Sequence, residues 1–76
     1  MNNARRKKLR TLADQLGEIM TELEMLKEEE ETYLYNIPEN LQGSERYEAA
    51  ESAIDNLDTA CDDLDEVINS IEEACE

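Results

Sequence analysis

Two long stretches of this chain set their apolar residues at alternating spacings of three and four. In the first, Leu9, Leu12, Leu16, Ile19, Leu23, Leu26, Glu30 and Tyr33 keep the rhythm, with Glu30 the one break. In the second, Tyr47, Ala50, Ile54, Leu57, Cys61, Leu64, Ile68, Ile71 and Cys75 keep it throughout. This spacing is the seam of a helix that packs lengthwise on another helix. Helices are predicted over about residues 4–35 and 44–75, with 36–43 as the connector.

The connector carries its own instructions. Pro38 disfavours a helical Ile37, so the first helix is expected to stop by about Asn36. Ser44 is a good N-cap, with Glu45 and Glu48 in the first turn behind it. Ile37 and Leu41 are expected to fold back as a plug near Tyr33 and Tyr47, and PENLQ to form one short helical turn. Helices of nearly equal length joined this briefly fold back antiparallel. The predicted fold is a single all-α domain over residues 1–76, a two-helix coiled-coil hairpin.

Both seams have apolar margins. Ala13, Met20 and Leu34 flank the first, and Ala53, Ala60, Val67 and Ala74 flank the second. These margins are expected on opposite sides of the pair, where a lone hairpin leaves them partly exposed. Small scaffolds commonly oligomerise to cover such surface, so a homodimer forming a four-helix bundle is expected. The alternative is a monomeric hairpin that receives a partner on those flanks.

Charge changes the picture more than size does. Twenty-one acids against seven bases give a net charge of −14. That argues against direct binding to nucleic acid, whose phosphates need Lys and Arg, and to anionic membrane. It points instead to a basic protein partner. No apolar run approaches the ~20 residues of a membrane span. Asp14, Glu18 and Glu22 interrupt the stretch after MNNARRKKLR, so it does not read as a secretory leader and a cytoplasmic location is expected. The bases Arg5, Arg6, Lys7 and Lys8 sit at a helix N-terminus, against the macrodipole. They are expected beside Glu72, Glu73 and Glu76 of the returning helix, fixing the register. Cys61 and Cys75 are seam positions roughly 21 Å apart along one helix. That is beyond disulfide reach, so both are expected to be reduced core fillers.

Enzymatic chemistry finds little to use. There is no His, so the Glu-x-x-His of di-metal bundles is absent. Asp62, Asp63 and Asp65 lack the glycine of a calcium loop. No nucleophile–base pair and no Gly-rich phosphate loop are present; no cofactor, metal or enzymatic activity is expected. What stands out is Glu48, Glu51, Asp55, Asp58, Asp62, Asp65 and Glu72, recurring roughly every 3.5 residues, about 5 Å along the axis. Like charges at this spacing weaken a helix, so fold stability does not ask for them. They make either a solvated face that keeps a small bundle soluble, or a surface that stands in for phosphates on a cationic partner. Tyr35 lies off the seam and is a candidate anchor for that partner.

The run NIPENLQGSERY over Asn36–Tyr47, with the basic N-terminal helix and the acidic second helix around it, resembles a class of small acidic helical proteins encoded by bacteriophages and prophages. The resemblance covers Arg5 to Glu76. It implies a mobile-element setting, in which small acidic proteins inhibit host defence nucleases, anti-CRISPR proteins among them. The expected function is therefore non-enzymatic inhibition of a bacterial nucleic-acid-binding protein by an acidic, nucleic-acid-mimicking helix face. The alternative is a structural or accessory coiled-coil module that binds a partner helix through apolar flanks. A virion or replication accessory role is a third reading.

Overall fold

The computed structural model describes residues Met1–Glu76 as a rod of 60 × 14 × 13 Å. Helix α1 spans Asn3–Tyr35, a 3-10 turn follows at Glu39–Leu41, and helix α2 spans Glu45–Ala74. Asn2 caps α1, its side-chain oxygen accepting from the Arg5 amide at 2.8 Å. Ser44 caps α2 by accepting from the Tyr47 amide at 3.3 Å, and Glu45 and Glu48 sit at the positive end of that helix. The helix boundaries, the Ser44 cap and the short connector turn are those expected from the sequence; the Asn2 cap was not among them. No helix is long and apolar enough to cross a membrane.

The seam of α2 is also the expected one. Ala50, Cys61, Ile68 and Cys75 are buried, and Tyr47, Ile54, Leu57, Leu64 and Ile71 are half-buried. The seam of α1 is displaced by one ridge. Leu9, Ala13, Leu16, Met20, Leu23, Lys27, Glu30 and Leu34 face α2. Leu12, Ile19, Leu26 and Tyr33, expected at the seam, are 42 to 54 % exposed. Met20 and Leu34, expected as an apolar flank, are therefore seam residues. The cause is the width of the apolar face on α1: ridges lie on both sides of Leu9, Leu16 and Leu23, and one partner helix covers only one of them. Turning the Ala13 ridge inward lets a small side chain admit α2 closely, continues the seam into buried Ile37, and brings Lys27 to Asp58.

Two further expectations are corrected. Arg5, Arg6, Lys7 and Lys8 form no ion pair with Glu72, Glu73 or Glu76; both salt bridges in the protein belong to Lys27. The helix ends do meet, but through the backbone. Arg10 Nη2 donates to the Cys75 carbonyl at 3.3 Å, and Cys75 Sγ donates to the Arg6 carbonyl at 3.8 Å. At the connector, Ile37 plugs the hairpin beside Leu34, Tyr47 and Ile54, whereas Leu41 and Tyr33 keep 45 and 42 % of their surface exposed.

Gly17 lies inside α1 with open space around the position a Cβ would take. Its conformational freedom is therefore a pure cost to the helix. Gly17→Ala is expected to raise stability by about 1 kcal/mol, measured as a shift in the denaturant midpoint at unchanged slope.

Candidate protein-docking faces

Antiparallel helices are related by a local two-fold axis, so equivalent edges of their seams lie on one side of the pair. One side is acidic. Glu48, Glu51, Asp55, Asp58, Asp62, Asp65 and Glu72 are all exposed along α2, on the edge beyond buried Cys61 and Ile68. They form the row the spacing predicted, interrupted in charge at Asn69. Tyr35, at the connector end, is 89 % exposed and borders the hollow formed by Leu34, Ile37, Tyr47 and Ile54.

One cation answers this row. Lys27 Nζ lies 2.9 Å from Asp58 Oδ1 and 3.9 Å from Glu31 Oε1. Its aliphatic stem is packed in the seam, leaving the side chain 23 % exposed, while the ammonium head reaches solvent. The hydrogen bond to Asp58 holds the Lys27 ammonium above its ordinary pKa of 10.5, with the charges of Asp58 and Glu31 acting in the same direction. The other six acids of the row have no cationic partner.

The opposite side is apolar. On α1, Leu12, Ile19, Leu26 and Tyr33 each follow a seam residue by three positions. On α2, Ala53, Ala60, Val67 and Ala74 each follow one by three positions as well. Equivalent offsets on antiparallel helices share a side, and Leu9 lines a common surface hollow with Val67, Ile71 and Ala74. These two exposed margins therefore adjoin, whereas the Ala13, Met20 and Leu34 margin expected on the other side of the pair lies in the seam. Ala60 and Ala74 are exposed and Ala53 half-buried, and Val67 is 47 % exposed. Sequence reasoning missed the α1 half of this face because it had assigned the largest side chains to the hairpin seam.

No three His, Cys, Asp or Glu side chains converge as a metal site would require. Cys61 and Cys75 are free, buried thiols. Comparison with protein-family models, with curated proteins and with solved structures finds no match to this chain.

A raised folded-state pKa at Lys27 makes its contact stabilising below the unfolded value of 10.5 and lost as pH climbs through the higher folded value. The melting-temperature gap between the wild type and Asp58→Asn should stay constant from neutral pH to about 10 and close only above 10.5. A gap that closes below pH 9 would show that another group supplies it.

Proposed function

We propose that this chain is a non-enzymatic, phage-type inhibitor that docks its acidic face on the basic, nucleic-acid-binding surface of a bacterial defence protein. The observation that carries this reading is the row of six unpaired acids, Glu48, Glu51, Asp55, Asp62, Asp65 and Glu72, held in line on one rigid helix. Successive members lie one or two helical turns apart, about 5 to 10 Å, a fixed line of negative charge like that of a nucleic-acid strand. A fixed line of carboxylates takes the place of phosphates and occludes the channel that binds them, as counterions leave both surfaces. Opposite charge steers the encounter, giving fast association that falls steeply with salt. Tyr35 supplies an aromatic contact at the connector end of the face.

A second reading is favoured by one specific observation, the exposed ridge of Leu12, Ile19, Leu26 and Tyr33. It makes the chain an accessory coiled-coil module that takes a partner helix on its apolar side. Such binding resists salt and fails on Val67→Glu or Ala60→Glu.

Affinity capture from bacterial lysate with elution by a salt gradient separates the two. The wild type is expected to retain a nucleic-acid-binding protein that added nucleic acid displaces and moderate salt releases. Glu51→Gln, Asp55→Asn, Asp62→Asn and Asp65→Asn combined, with Asp58 kept for Lys27, are expected to abolish retention with helical circular dichroism unchanged. Equal retention by this variant overturns the mimicry. Retention of a neutral helical protein through high salt, lost on Val67→Glu, establishes the second reading in its place.

A further inference from the structure

We infer that the apolar side is the docking surface for a second copy of this chain, turned end over end to complete a four-helix bundle. Three observations carry it. The first is extent. Leu12 to Tyr33 runs about 31 Å along α1, the Ala53–Ala74 margin runs beside it, and the half-buried seam residues Leu9, Leu16, Leu23, Leu57, Leu64 and Ile71 lie between them. Contiguous apolar surface on this scale marks an interface.

The second is area. A compact 8.7 kDa chain exposes about 4,700 Å² by the scaling of surface with mass, whereas this one exposes 5852 Å². The excess, roughly 1,100 Å², follows from the rod shape and leaves room for the about 800 Å² that one partner of a stable pair covers. A two-fold contact needs one self-complementary patch, and a face spanning both helices supplies it.

The third is charge. One end of the rod carries Arg5, Arg6, Lys7, Lys8 and Arg10 beside Glu72, Glu73 and Glu76 of the returning helix; the other carries Glu28, Glu29, Glu30, Glu31, Glu39 and Glu45 against Lys27 and Arg46 alone. Turning the second copy end over end lays each mixed-charge end, with its basic cluster, on an acid-rich one. A pair with both connectors at one end stacks acid on acid. None of the cluster's residues forms an ion pair within the hairpin, so its cations stay open to the acids of the second copy. The acidic row of α2 faces away from the contact, so two copies meet where their repulsion is least.

Sedimentation equilibrium of the full chain in reducing buffer tests the pairing. The expected mass is twice 8.7 kDa, and Ile19→Glu with Leu26→Glu is expected to weaken association at least 100-fold with helicity kept, since both side chains are exposed in the hairpin. A wild type that sediments as one chain into the millimolar range overturns the proposal and leaves the face to a different protein. A double variant that still pairs overturns it equally. Orientation is read by spin labels at Gln42→Cys, with Cys61 and Cys75 replaced by Ala. Connectors at opposite ends place the labels about 60 Å apart, the length of the rod; a separation near 20 Å, two helix diameters, overturns the end-over-end arrangement. Loss of pairing together with intact salt-sensitive capture would separate this inference from the proposed function, which rests on the other face.

Discussion

Each member of a two-helix pair meets only one strip of partner surface, and here that strip is narrower than the apolar face α1 brings to it. Much else follows from the mismatch. The hairpin closes over the Ala13–Met20–Leu34 ridge and leaves Leu12, Ile19, Leu26 and Tyr33 in water. Its core is correspondingly thin: six residues are buried, and four of them are alanine or cysteine. Small side chains draw the backbones together, but they bury little apolar area, which is the main stabilising term in folding.

The same geometry sorts the surface into two opposed sides. A seam has two edges. On α2 the edge beyond Cys61 and Ile68 is carboxylate, and the edge beyond Leu57 and Ile71 is alanine and valine. On α1 the second of these edges is leucine, isoleucine and tyrosine. Charge and hydrophobicity therefore diverge on opposite sides of a rod 14 Å across, so the faces can engage different surfaces without competing. The proposed two-copy bundle presents its acidic rows outward, one on each flank.

How far the sequence revealed this differed between the helices. The fold class, both helix spans, the Asn36 stop, the Ser44 cap and the whole α2 seam follow from periodicity and local chemistry, which depend on near neighbours. The α2 acidic row was equally legible, because a stripe on one helix needs only that helix's pitch. The choice between the Leu12 and Ala13 ridges was not legible, since it depends on which side of α1 the second helix occupies. Side-chain size favoured Leu12, whereas close approach at Ala13 and the reach of Lys27 to Asp58 favour the other. The expected pairing of Arg5–Lys8 with Glu72–Glu76 failed for a similar reason. Proximity of the ends was readable, but Arg10 and Cys75 join them through backbone carbonyls that no residue pattern displays.

The two thiols give this hairpin a built-in gauge of its own opening. Cys61 lies in the middle of the seam and Cys75 at its end, both buried and both free. A thiol reagent reaches either one only when the helices part locally. Modification of Cys75 alone reports fraying at the terminal end, and modification of Cys61 reports separation through the centre of the rod. The difference between their rates is a map of where the pair comes undone first, written into the native chain without a label.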